Sequence, residues 1–350
     1  MRFNTKMKEE DIRTNESVRK AQTLFQQDLE EFIYPNEFVE VACPACNSKN
    51  YRKAYSKLDF DFVLCNLCKT LFVNPRPGFD VLSKYYENSK ELEFWKNEIF
   101  FQTENARNKL IFQPRVDNVL EICKKYGCAR DLLVEVGAGF GNFCEKINEL
   151  GWFKKVIAIE PNPHLAKKCR ERGLDVLPLS VENAKIENSA DVVVSFEVIE
   201  HLFNPGDFIL KCLKLLKKDG LLILTTPNIF GFDLLVLQEE SDNICAPKHL
   251  NYFNPRSLKY LLVTTGFDVL EYITPGELDV ELVHKKVISK KIDISKDNFL
   301  KYLFFDASDK QRQSFQKYLA ENGLSSHMWM IARRKSIDAH TKKRWSEENE

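Results

Sequence analysis

From residue 131 onward, short apolar runs alternate with longer amphipathic stretches. LLVEVGA, KVIAIEPN, DVLPL, ADVVVSFEVIEHL, LLILTTPN and FDVLEYIT read as strands, and SSHMWMIARRK as a last one. Between them, GNFCEKINELG, PHLAKKCRERG, DFILKCLKLLKKDG and PRSLKYLLVTTG repeat apolar positions at helical spacing, and each ends on a glycine suited to a helix stop. Strands that alternate with helices imply a mostly parallel, doubly wound α/β sheet. The strands are apolar nearly throughout, as strands covered on both faces should be.

The rest of the chain departs from that rhythm. Residues 1–36 are charged with sparse apolar positions and read as a partly helical arm. Residues 37–78 hold two Cys-x-x-Cys pairs and close on the turn-rich NPRPG. Residues 79–130 read as a helical linker or lid that stops at Gly127. The α/β domain spans 131–335, with a charged helical insertion at 276–325 and the last strand at 326–335. The tail, 336–350, is expected to be disordered.

Charge narrows the partners. Lys and Arg total 51, and so do Asp and Glu. A protein that grips nucleic acid usually carries a basic excess, because phosphate neutralisation supplies most of the affinity. The expectation is no nucleic acid and no membrane insertion, since no run reaches the roughly 18 apolar residues of a spanning helix. The charged start is unlike a signal peptide, which predicts a cytoplasmic protein. Its ten cysteines then read as metal ligands or buried thiols rather than disulfides.

The first strand runs into VEVGAGFGNF. Gly137, Gly139 and Gly141 form G-x-G-x-G, with Asn142 where a dinucleotide fingerprint has its last glycine. This spacing suits a nucleoside lying over the turn. Glu160 ends the second strand, placed to accept hydrogen bonds from both ribose hydroxyls. A tight turn beside a surface glutamate is the bland alternative, and the order strand, glycines, helix, strand, acid argues against it.

At these residues the chain resembles the class I S-adenosylmethionine-dependent methyltransferases. VEVGAGFGNF resembles their first motif and AIEPN their acidic motif. ADVVVSFEVIEHL, GLLILTTPN and KHLNYFNPRSLKYLLVTTGF resemble the ubiquinone and sugar C-methyltransferase branch. The resemblance implies seven strands, the last antiparallel, with S-adenosyl-L-methionine as cofactor. It implies that Gly137, Gly139 and Gly141, with Glu135 and Ala138, lie against the cofactor's methionine and ribose. Glu160 and Pro161 would adjoin the ribose, Glu182 the adenine, and Phe196 and Glu197 the methionine end. The acceptor is left open, because one fold hosts many.

Cys43, Cys46, Cys65 and Cys68 form CPAC and CNLC, 18 residues apart. Two such turns can make a tetrahedral four-sulfur site, and with no open position its Zn2+ would be structural. A redox dithiol and an iron–sulfur cluster are the alternatives; the doubled pair favours zinc. Asn47 and Lys69 stand where zinc ribbons often carry glycine. An N-terminal zinc module of this kind is similar to one in sugar C-methyltransferases.

Methyl transfer to a hydroxyl or an acidic carbon needs a base. His201, after Glu200 in FEVIEHLFNP, and His249, in PKHLNYF, both fall at the ligand edge of the sheet, and Tyr252 offers a hydroxyl nearby. Either histidine could instead be structural. Arg107 and Arg115 are candidate anion clamps, and Tyr85, Tyr86, Phe94 and Trp95 candidate lid aromatics. The leading reading is a methyltransferase for a small-molecule acceptor such as a nucleotide-sugar or another cell-surface glycan precursor. An RNA or protein methyltransferase with the zinc module as reader, and a non-catalytic scaffold, are its rivals. Oligomeric state is unknown.

Overall fold

The computed structural model describes residues 7–335; the tail expected to be disordered lies outside them. Seven strands form one sheet: β1 (Leu132–Val136), β2 (Lys155–Ile159), β3 (Asp175–Leu177), β4 (Ala190–Phe196), β5 (Leu216–Pro227), β6 (Phe267–Ile273) and β7 (His327–Arg334). Their order is β6-β7-β5-β4-β1-β2-β3. β1 to β5 pair in parallel, and β7 runs antiparallel to both β5 and β6. The order reverses between β1 and β4, the crevice where open α/β sheets bind ligands.

Alternation along each strand builds two cores. Val134, Val193, Leu222, Leu224 and Met330 face one layer, with the helices Pro205–Leu215 and Pro255–Thr265. Leu133, Val192, Val194, Ile223 and Trp329 face the other, with Gln113–Tyr126 and Asn142–Glu149. Gly127 ends the first of these in the left-handed region, at φ 65°. One boundary differs from the periodic reading. The helix expected to reach Gly220 stops at Leu215, because Leu216 already pairs with Ala190 and Asp219 turns the chain at φ 62°.

The cysteine segment is not separate from the α/β domain. Tyr51–Lys57, Phe60–Cys65 and Leu71–Val73 form an antiparallel sheet whose fourth strand is Asn251–Tyr252, from the loop after β5. The N-terminal arm is equally engaged. Its helix Asn15–Phe32 presents Asp28, which takes hydrogen bonds from Ser89 Oγ and from the backbone N–H groups of Lys90 and Glu91. It thereby caps the helix Lys90–Phe94, since a carboxylate satisfies the free N–H groups of a first turn. Among the described residues no helix is long and apolar enough to cross a membrane.

Candidate active site

The turn after β1 holds Gly137, Gly139 and Gly141 at φ 79°, 58° and 79°, a region L side chains rarely adopt. A Cβ on Gly137 would come within 2.5 Å of Val198 Cγ2, whereas a Cβ on Gly139 would meet nothing within 4 Å. Gly137 therefore packs against protein, and Gly139 faces open space. Glu160 ties this turn to the next strand. Its Oε2 accepts from Gly139 N at 2.8 Å and its Oε1 from Asn162 N at 2.9 Å. Each oxygen keeps a further lone pair. Burial pushes the Glu160 carboxyl above its ordinary range, against those two N–H bonds.

Beside the turn lies a cavity of about 510 Å³ lined by Glu135, Gly137, Ala138, Gly139, Phe196 and Glu197, among others. The helices 95–112 roof it with Lys96, Phe100, Arg107 and Phe112. Glu135 sits at its floor, accepting from Cys144 Sγ at 2.9 Å, and burial raises its pKa to about 8. Phe196 does two things. It packs edge-on against Phe143 at 4.8 Å, and it carries the Arg115 guanidinium 4.8 Å from its ring centre.

A second cavity, of about 470 Å³, adjoins the first. Phe100, Arg107, Arg115 and Glu197 line both. The second is completed by Glu200 and His249, by Trp95 from the lid, and by His327 and Trp329 at the start of β7. Because β7 is antiparallel, its first residues lie at the carboxyl edge of the parallel strands, which brings His327 there.

Glu197 is the hinge of the arrangement. It adopts φ 53°, an uncommon conformation for a side chain of its size. Its Oε1 accepts from Thr225 Oγ1 at 2.5 Å and lies 3.8 Å from Arg115 and 3.5 Å from His327. Burial opposes its charge, but His327, Arg115 and the Thr225 hydroxyl together hold its pKa below the usual value. Glu200 behaves oppositely. It is fully buried; burial and then the Glu197 charge push its pKa well up, and its Oε1 has no partner among the described residues. The surroundings thus favour the charge on Glu197 and oppose one on its neighbour.

His201 and His249 stack edge-on at 4.7 Å. Each Nδ1 bonds to a backbone carbonyl, His201 to Lys248 O at 2.8 Å and His249 to Asn243 O at 2.9 Å. A carbonyl can only accept, so Nδ1 carries the proton and Nε2 keeps a free lone pair. Burial above all lowers the His201 pKa to about 3 and that of His249 to about 4. His249 lines the second cavity; His201 lies behind it.

Several expected residues are placed elsewhere. Tyr252 is fully buried in the cysteine-segment core, where its hydroxyl donates to Asn243 O at 3.0 Å, so it does not reach the cavity. Glu182 is exposed on the turn Val181–Asn183 and Pro161 is exposed after β2; neither lines the cavities. Tyr85 and Tyr86 pack against each other at 5.5 Å, and Tyr86 donates to Lys248 O; of the four candidate lid aromatics, Trp95 is the one lining a cavity. His327 went without a role in the sequence reading. The signal was available in the antiparallel sense of the last strand.

The four paired cysteines converge. Cys43 Sγ lies 3.4 Å from Cys68 Sγ and Cys46 Sγ 3.6 Å from Cys65 Sγ, and all four sulfurs fall within 4.8 Å of one another. Four sulfurs each about 2.3 Å from one zinc would stand about 3.8 Å apart, so the set fits that ion. Asn47 and Lys69 take φ 57° and 60° and return their N–H groups to Cys43 O and Cys65 O. The two turns close left-handed without glycine.

A family model described as "Methyltransferase domain" matches residues 104–272. A probable S-adenosylmethionine-dependent methyltransferase of Mycobacterium tuberculosis H37Rv is 32% identical over 142 residues, 40% of this chain and 49% of its own. The ubiquinone biosynthesis O-methyltransferase of Caulobacter vibrioides CB 15 is 37% identical over 102 residues, 27% of this chain and 40% of its own. That of Rhodopseudomonas palustris TIE-1 is 31% identical over 174 residues, 47% of this chain and 62% of its own. The chain spans about half the length of the curated relatives it matches.

Proposed function

We propose that this chain, whose residues 104–272 match a methyltransferase-domain model, is an S-adenosylmethionine-dependent methyltransferase that methylates a small molecule held in the cavity beside His249. The observation that carries this reading is the junction of the two cavities at Phe100, Arg107, Arg115 and Glu197. One cavity lies along the glycine turn and the other along the candidate base.

S-adenosyl-L-methionine, when bound, supplies an electrophilic methyl group. Gly139 leaves its nucleoside room over the turn, the spare lone pairs of Glu160 suit its ribose diol, and Phe196 with Glu135 borders its methionine end. Arg115 is a cation available to its carboxylate. The chain's own work is to hold the acceptor in line, at about 3–3.5 Å from the methyl carbon, and to keep water out. His249 Nε2 takes the acceptor's proton. Its Nδ1–H is fixed on Asn243 O, which sets the tautomer that leaves Nε2 basic. Ionised Glu197 then lies near enough to favour the imidazolium that forms.

Cys43, Cys46, Cys65 and Cys68 would hold one structural zinc. Its place is to fix the sheet that includes Asn251–Tyr252, directly after His249. A nucleotide-sugar or related glycan precursor is the acceptor class we favour, and the balanced charge of the chain speaks against nucleic acid.

Incubation with methyl-labelled S-adenosylmethionine and fractionated extract tests this. Label in the small-molecule fraction, dependent on His249, supports the reading. Label confined to RNA or protein overturns it.

A further inference from the structure

The acceptor cavity contains a cation, Arg107, that has no ion pair among the described residues. Arg107 ends the short helix Glu104–Arg107 and lines both cavities where they meet. Its guanidinium lies 4.1 Å from the centre of the Phe100 ring. Its Nε is enclosed and has no hydrogen-bond partner among the described residues.

Most of the other charges around the cavity have a partner, and Glu277 also lines it. Arg13 pairs with Glu9 at 2.6 Å, and Arg115 lies 3.8 Å from Glu197. Glu104, on the same turn as Arg107, is taken by Arg172 and by Asn142 Nδ2. Asp279 accepts from Ser325 Oγ, Ser326 N and Gln316 Nε2. Burial and the Glu197 charge oppose ionisation of Glu200. Arg107 is left with an aromatic face on one side and two neighbouring arginines. Burial, with the charges of Arg115 and Arg13, pulls its pKa down to about 9, so it stays protonated at neutral pH. An enclosed cation without a counter-ion is costly, and the cost is removed when an anion arrives. A guanidinium presents a planar fork of donors that matches a phosphoryl or carboxylate group.

We propose that Arg107 is the acceptor-anchoring residue, and that the acceptor carries an oxyanion group, phosphate or carboxylate, which Arg107 grips at the mouth between the two cavities. The proposal rests on the methyltransferase reading for which ligand fills which cavity. Arg115, tied to Glu197 and Phe196, serves the cofactor side, so the two arginines divide two anions between them.

The test uses the full-length protein saturated with S-adenosylhomocysteine, titrated calorimetrically with pyrophosphate and with malonate at low ionic strength. The wild type is expected to bind at least one of them saturably. Arg107→Gln should weaken that binding tenfold or more, Arg107→Lys should restore part of it, and S-adenosylhomocysteine affinity should fall by less than the anion affinity in either variant. Preference for pyrophosphate marks a phosphoryl acceptor, and preference for malonate a carboxylate one. Anion binding that is absent in the wild type, or equal in a folded Arg107→Gln protein, overturns the proposal. So does a loss of S-adenosylhomocysteine affinity in that variant as large as the loss of anion affinity, which would assign Arg107 to the cofactor. Failure of the wild type to bind S-adenosylhomocysteine would instead overturn the methyltransferase reading, and the anion titration on the protein alone would still judge Arg107.

Discussion

The side-chain amide of Asn254 donates to the carbonyl oxygen of Cys68 at 2.9 Å, across 186 positions of sequence, and also to that of Lys69 at 3.0 Å. Its Oδ1 meanwhile accepts from Arg256 N and Ser257 N, capping the helix Pro255–Thr265. One residue thus fastens the second Cys-x-x-Cys turn to the α/β domain. Val73 N donates to Leu250 O beside it, so the loop carrying His249 is sewn to the cysteine sheet on its C-terminal side.

With zinc on the four cysteines as proposed, stripping it should reach the loop that carries His249. Chelation is expected to lower methyl transfer at least tenfold while leaving S-adenosylhomocysteine affinity within a few fold. Hydrogen exchange should quicken at 245–254 as well as at 41–73, because binding free energy at such a site is largely folding free energy. Unchanged protection at 245–254 in the stripped protein would separate the two parts. Asn254→Ala should cost about 1–2 kcal/mol through the lost cap alone, read from the denaturant midpoint.

The rate should have an unusually acidic limb. As the proposed base, His249 acts as the neutral imidazole, and burial lowers its pKa to about 4. The acid limb of kcat/KM, which reports the free enzyme, should then fall near pH 4 and be flat through 6.5. His249→Gln should cut turnover about 10²–10⁴-fold and leave cofactor affinity near normal. An acid limb that persists unchanged in His249→Gln would remove His249 from the role of base. Stability follows the same sign. Both His201 and His249 have folded pKa values below their ordinary 6.5, so their contribution is complete above 6.5 and is lost as pH falls toward 4 and below.

Two glycines two positions apart should fail differently when changed to alanine. Gly137→Ala sets a Cβ against Val198 at 2.5 Å, and should destabilise the fold by more than the 1–2 kcal/mol of left-handed strain alone. Gly139→Ala meets no protein atom, so it should keep nearly the strain cost only and lose cofactor affinity instead. Chemical denaturation and calorimetry on the pair check both halves.

The parallel strands and the turn acid were legible because they are local. Apolar runs, a glycine spacing and Glu160 lie within one strand–helix–strand unit. The four cysteines were legible from spacing for the same reason. The acceptor side was legible only in part: His249, Arg107 and Trp95 were named as candidates, but not that they line one cavity, and His327, which arrives from the last strand, had no role. Strand Asn251–Tyr252 is only two residues long and is defined by its partner Leu71–Phe72 rather than by any pattern of its own. Tyr252 was misplaced by that pairing, which turns its ring into the Phe62 core at 6.0 Å instead of toward the cavity. Glu182 was expected beside the adenine by resemblance, but its turn leaves it exposed.

Calorimetric titration of S-adenosylhomocysteine into the wild type and Glu160→Ala tests the central claim most directly. We expect one site per chain in the wild type and no comparable binding of NAD. In Glu160→Ala the affinity should fall by about 1.5–3 kcal/mol for each ribose bond lost. Affinity in Glu160→Ala equal to wild type, or binding of NAD in place of S-adenosylhomocysteine, would contradict it.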